Sequence, residues 1–122
     1  MSQERHMATM CVVGECPICL GASQLIGLIE FASGSLITYC PECGLAWRGL
    51  LEGEGSLMED LVDLAPDGIL LPSRSQLADL GIRAEPSDQY EDLDWVFGRG
   101  RWSLNDSKSM IAGDPVVDIL WK

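Results

Sequence analysis

Cys16-Pro17-Ile18-Cys19 and, after twenty intervening residues, Cys40-Pro41-Glu42-Cys43-Gly44 decide how this chain of 122 residues is read. Two Cys-x-x-Cys pairs held apart by one hairpin's length of chain have the spacing of a tetrathiolate metal site. Two cysteines three apart can point both sulfurs at one cation when the backbone between them folds tightly. Pro17 and Pro41 restrict φ directly after the first cysteine of each pair. Gly44 follows the last cysteine, where a positive φ is often needed, and Gly21 stands one residue later in the first pair. Four thiolates fill a tetrahedral cation and leave no position for water or substrate. The site therefore reads as structural rather than catalytic.

These residues, Cys-Pro-Ile-Cys and Cys-Pro-Glu-Cys-Gly, resemble the zinc ribbon family over about residues 11–51. The resemblance implies a β-hairpin carrying one knuckle, a further strand beside it, and a structural Zn²⁺ on Cys16, Cys19, Cys40 and Cys43. The doubled motif is specific for metal and poorly specific for function. Zinc ribbons serve in transcription, translation, enzyme appendages and protein docking. Rubredoxins carry a similar double knuckle around iron, which makes Fe the alternative ion.

Working outward, Ser23–Ala32 is rich in branched and aromatic residues and reads as a strand. Ser33-Gly34 is a turn signal. Leu36–Tyr39 returns the chain to the second pair of cysteines, and Leu45–Leu50 is expected as a third strand with Trp47 in the core. Cys11, the fifth cysteine, reads as a small buried thiol. Leu51–Gly55 has linker composition. Ser56-Leu57-Met58-Glu59 has the form of a capping box. It opens a helix with Leu57, Met58, Leu61, Val62 and Ala65 inward and Glu59, Asp60 and Asp63 outward. Ser73-Arg74-Ser75-Gln76 opens a second helix with Leu77, Ala78 and Leu80 inward, stopped by Gly81. Asp88 starts a third, with Tyr90, Leu93, Val96 and Phe97 on one face and Asp88, Glu91, Asp92 and Asp94 on the other. Trp95 stands near its edge, and Gly98 closes it. Ile69–Leu71 is ambiguous, and Val116–Trp121 has strand composition.

The expected class is α+β, a small antiparallel zinc-ribbon sheet with a short helical segment packed against it. Residues 1–9 read as a flexible tail and 10–51 as the ribbon. Residues 52–122 read as an acidic helical segment with a C-terminal strand, forming one compact unit with the ribbon. No apolar run has membrane-spanning length. Met1–His6 lacks the layout of a signal peptide, and unpaired thiols poised for metal fit a reducing compartment, so a cytoplasmic location is expected.

The formal net charge is -11, concentrated between residues 51 and 97. Such a field repels phosphate backbones, so direct nucleic-acid binding is not expected, and the second helix has too few bases to read DNA. A basic protein partner fits better. The carboxylates Glu59, Asp60, Asp63, Asp88, Glu91, Asp92 and Asp94 are the expected contacts, with Trp95 as anchor. Catalytic signals fail together. The single histidine, His6, stands in the tail, no phosphate-binding glycine loop is present, and a closed Cys₄ site gives zinc no open position. The sequence therefore reads as a non-enzymatic acidic protein that blocks a basic partner, in its concrete form an immunity or antitoxin-type inhibitor of a bacterial toxin domain. The alternatives are an accessory ribbon of the transcription or translation machinery and a rubredoxin-like electron carrier.

Overall fold

The structure, a computed structural model, describes residues 10–16, 19, 23–49, 59–87, 90, 92–104, 110–111 and 114–122. The expected tail, the 51–55 linker, the Ser56 cap with Leu57 and Met58, and Asp88 and Glu91 lie outside the described residues.

The first strands are β1 (Cys11–Glu15), β2 (Gln24–Glu30), β3 (Leu36–Tyr39) and β4 (Leu45–Arg48). Strand β5 (Glu59–Asp60) runs into helix α1 (Leu61–Leu64), followed by β6 (Ile69–Leu71), α2 (Arg74–Asp79) and β7 (Glu85–Pro86). Helix α3 (Leu93–Phe97) precedes β8 (Trp102–Leu104), β9 (Met110–Ile111), β10 (Asp114–Pro115) and β11 (Val117–Trp121). The α+β class holds, with antiparallel strands forming the body and three short helices added to it. No helix among the described residues is long and apolar enough to cross a membrane.

Nine of the strands form one sheet in the order β5-β4-β3-β2-β6-β11-β8, with β1 joined at β2 and β7 paired to β1. Strand β2 is the fork. Ile26 faces Tyr39 of β3 on one edge and Val12 of β1 on the other. Ile29 faces Leu36 of β3 and Leu70 of β6. So β1 and β6 share one edge of β2, each taking half, and they diverge beside Gly27. Glycine leaves room there, because a Cβ would stand 2.9 Å from Val13 Cγ1 and 3.3 Å from Leu77 Cδ1 and would force those side chains to shift.

A strand buried on both faces reads as a continuous apolar run, and Leu25–Ile29 does so. Ile26 and Leu28 enter the larger core, with Tyr39, Leu61, Leu64, Leu93, Val96 and Phe97. Ile29 faces the other way, with Leu70, Leu77 and Cys11. Helices α1 and α3 therefore cover one face and α2 the opposite one. Cys11 is buried, and its thiol donates to the Pro72 carbonyl at 3.6 Å.

The helical expectations need correction. Glu59 and Asp60 do not lie on a helix. They pair with Ala46 and Leu45 at the open edge of β4, and Asp60 then caps α1 by accepting from the Val62 amide at 3.0 Å. The helix that remains is four residues long, so Val62 points outward while Leu61 and Leu64 are buried. In α2 the Ser73–Gln76 capping box forms as expected, but Leu77 is the inward apolar residue and Ala78 and Leu80 are exposed. A helix of one or two turns has no room for a wide apolar stripe. Helix α3 buries Leu93, Val96 and Phe97 as expected, but it starts only at Leu93, so Asp92 is its cap rather than part of an outer face and buried Tyr90 precedes it.

Candidate metal centre

Backbone hydrogen bonds hold each cysteine pair to its neighbouring strand. In the second, the Cys40 amide donates to the Leu45 carbonyl at 2.9 Å and the Gly44 amide to the Cys40 carbonyl at 2.8 Å. Gly44 has φ of 76°, the left-handed conformation its position after Cys43 demands. In the first, the Cys16 amide donates to the Ser23 carbonyl at 3.0 Å, tying the knuckle to the start of β2.

The four sulfurs of Cys16, Cys19, Cys40 and Cys43 all lie within 4.8 Å of one another. Cys16 Sγ is 3.9 Å from Cys43 Sγ, and Cys19 Sγ is 3.9 Å from Cys40 Sγ. Both close pairs join one knuckle to the other. A regular tetrahedron with metal–sulfur bonds of about 2.3 Å has edges of about 3.8 Å. A disulfide would require about 2.05 Å. The spacing thus fits four thiolates around one cation, an arrangement consistent with a zinc-ribbon-like double knuckle.

The surroundings are apolar. Cys16 and Cys40 are buried with Leu25 and Trp47, and Cys19 and Cys43 are half-buried at the rim. Trp47, 1% exposed, closes the site from the β4 side. Burial pushes the Cys40 thiol well above its ordinary range, although the amides of Cys43 and Glu42 favour its thiolate. Burial raises Cys43 as well, opposed by the Leu45 amide. At Cys40 and Cys43 burial thus favours the protonated thiol, and a cation would reverse that balance by taking thiolates and releasing protons.

The described members of the expected partner set lie in or beside β5, α1 and α3. Glu59, Asp60 and Asp63 are exposed beside β4 and α1. Asp92 is half-buried and accepts from the Asp94 amide at 3.0 Å as the cap of α3. Trp95 is 54% exposed and stacks on buried Tyr90, with ring centroids 5.5 Å apart and planes at 14°. The sign of the surface changes nearby, where Asp94 shares a groove of about 470 Å³ with Arg99 and Lys122.

Two residues outside the expected set connect these regions. Tyr39, directly before Cys40, donates its hydroxyl to the Val96 carbonyl of α3 at 2.8 Å and stacks on Phe97. Burial first, then nearby Asp60, pushes its phenol up to about 12. Tyr90 sits under Trp95, with its hydroxyl close to Ser23 and within electrostatic reach of Cys40 and Glu42. The available signal was positional, since an aromatic next to a ligand cysteine is held wherever the knuckle holds it.

Comparison of the chain with protein-family models, curated proteins and solved structures gave no match.

Proposed function

We propose that the chain is a non-enzymatic binding module of zinc-ribbon type, in which structural Zn²⁺ fixes the two knuckles and the helix-covered face docks a basic protein. The observation that carries the reading is the closed set of four sulfurs at tetrahedral spacing. Such a set fills every position of a four-coordinate ion, which supports a structural rather than a catalytic role. Zn²⁺ suits the site because it accepts tetrahedral thiolates with no geometric preference of its own.

The partner half rests on charge and exposure. A net charge of -11 favours encounter with a basic protein. Trp95, exposed, stacked on Tyr90 and directly after Asp94 in the chain, supplies a rigid aromatic anchor of the kind that dominates interfaces. An inhibitor that covers a basic toxin domain is the concrete form of this reading.

The test begins with elemental analysis of the purified protein and Co²⁺ substitution. One zinc per chain and a tetrahedral thiolate–cobalt spectrum that Cys40→Ser abolishes are expected. Affinity capture from the native host with wild type and Trp95→Ala then addresses the partner. A single basic protein retained by wild type, released by salt and lost with Trp95→Ala is expected. Iron at the site with no partner would overturn the reading in favour of electron transfer, and recovered ribosome or polymerase subunits in favour of an accessory ribbon.

A further inference from the structure

We propose that metal occupancy controls the docking face around Trp95, because the two knuckles are the supports on which helix α3 and the Tyr90–Trp95 stack rest. This rests on the reading of the four thiols as a metal site and of Trp95 as the partner contact. It adds that the first regulates the second.

Helix α3 is five residues long, too short to hold itself in place. Its position is set by what it touches. From the second knuckle, Tyr39 reaches it directly, donating to the Val96 carbonyl and stacking on Phe97 at 6.0 Å. Tyr39 is bonded to Cys40, so the strand end that carries a metal ligand also carries the support of α3. From the first knuckle the path runs through β2. Ser23 accepts from the Cys16 amide, and the next residue, Gln24, accepts from the Ser87 hydroxyl at 3.0 Å. Ser87 Oγ in turn accepts from the Tyr90 amide at 3.1 Å, and the Tyr90 ring carries Trp95.

Each knuckle therefore ends in a contact that orients Trp95. Loading the cation fixes both supports, and releasing it frees both. Binding energies at coupled sites are reciprocal, so weakening a support must also weaken the metal. A partner that needs Trp95 held on Tyr90 would bind the loaded protein better, and its binding would retain the metal.

The test needs no knowledge of the partner. The full chain is labelled with 5-fluorotryptophan and followed by fluorine NMR with zinc and after chelation, Trp95→Phe assigning the resonance. Trp47 at the site and Trp95 should both shift on zinc removal, while Trp102, at the other end of the strand order, keeps its folded position. In zinc-loaded Tyr39→Phe the Trp95 signal should move toward its zinc-free position. That variant should still bind one zinc, with affinity reduced about 5-fold or more. A Trp95 signal that stays fixed while Trp47 responds overturns the coupling and leaves the metal site standing. If chelation collapses all four signals together, loaded Tyr39→Phe decides alone, and a Trp95 signal identical to wild type overturns the proposal. Failure of the chain to bind zinc removes the metal reading itself, and the coupling with it.

Discussion

The two ends of β2 are held by different physics. At the Gln24 end the core is small: Cys16, Leu25, Cys40 and Trp47 are buried together, and four thiols stand where aliphatic side chains would otherwise be. Toward the Glu30 end, β6 and β11 extend the sheet, and Leu28, Ile37, Ile69 and Ile119 belong to the larger core, which runs back along β2 to Ile26 and Tyr39 and takes in the inward faces of α1 and α3. Apolar burial contributes roughly 25 cal/mol per Å² and needs many side chains to accumulate. One tetrathiolate ion supplies about 10–16 kcal/mol of apparent binding energy from four. A small unit can thus be ordered either by mass of hydrocarbon or by one cation, and β2 runs from a core of the first kind to a cysteine cluster with the spacing for the second.

Removing the metal should break the comparison most strongly. Cys40→Ser is expected to forfeit much of that 10–16 kcal/mol of apparent metal binding. Hydrogen exchange should show lost protection in Cys11–Glu15 and Leu45–Arg48 and retained protection in Ile69–Leu71 and Val117–Trp121. Uniform loss would mean that the two ends are one cooperative unit. Unchanged thermal stability would mean that the cysteines do not hold the ribbon end.

Ile119→Ala is the converse perturbation. Ile119 is fully buried in the larger core, so the cavity should cost about 2–5 kcal/mol in chemical denaturation. Zinc stoichiometry should stay at one per chain.

Tyr39 bridges the two ends, and alkali should expose its contribution. Its phenol is raised from 10.0 to about 12 in the folded chain, so the folded state keeps a proton that the unfolded state gives up. That stability is fully present below pH 10 and is lost as pH rises toward 12, by about 2–3 kcal/mol. Denaturation midpoints across this window should fall more steeply for wild type than for Tyr39→Phe. Parallel slopes would show that the phenol is not held as described.

The smallest effect concerns a polar bridge between the same regions. Arg48 of β4 donates to Glu30 at 2.8 Å and to the Leu64 carbonyl of α1 at 3.1 Å. Ser33 donates to the other Glu30 oxygen at 2.8 Å. Glu30 is buried while Arg48 is largely exposed, so solvent screens the pair in part. Arg48→Met should cost about 1–3 kcal/mol, mainly through the carboxylate left behind. The double variant with Glu30→Gln should recover part of that loss, and strict additivity in the cycle would show that the two side chains do not act as a pair.

Legibility followed the range of the physical signal. The gathering of Cys16, Cys19, Cys40 and Cys43 was readable because spacing and turn chemistry are local. Leu36–Tyr39, the Ser73–Gln76 box and the inward set of α3 were readable for the same reason. The edge strand at Glu59 and Asp60 was not, because two residues carry no period and their pairing depends on an open edge supplied by β4. The outward turn of Val62 and Leu80 followed from helices too short for a stripe to define a face. The fork at β2 was hidden because Gly27 looks like any strand glycine until Val13 and Leu77 arrive beside it. The tie between the second cysteine pair's strand and α3 was hidden too, since the Tyr39 partner lies 57 residues away.

Strand β11 bears on how the molecule is made. It pairs with β6 on one side and β8 on the other, yet both precede it in the chain. During synthesis β2, β3 and β4 can zip as a local meander, whereas β6 and β8 must wait with open hydrogen-bonding edges. Non-local pairing of this kind slows folding and leaves strand edges available to other chains. The meander also carries the second cysteine pair, so a cation captured there early would leave a folded platform for the late strands to join.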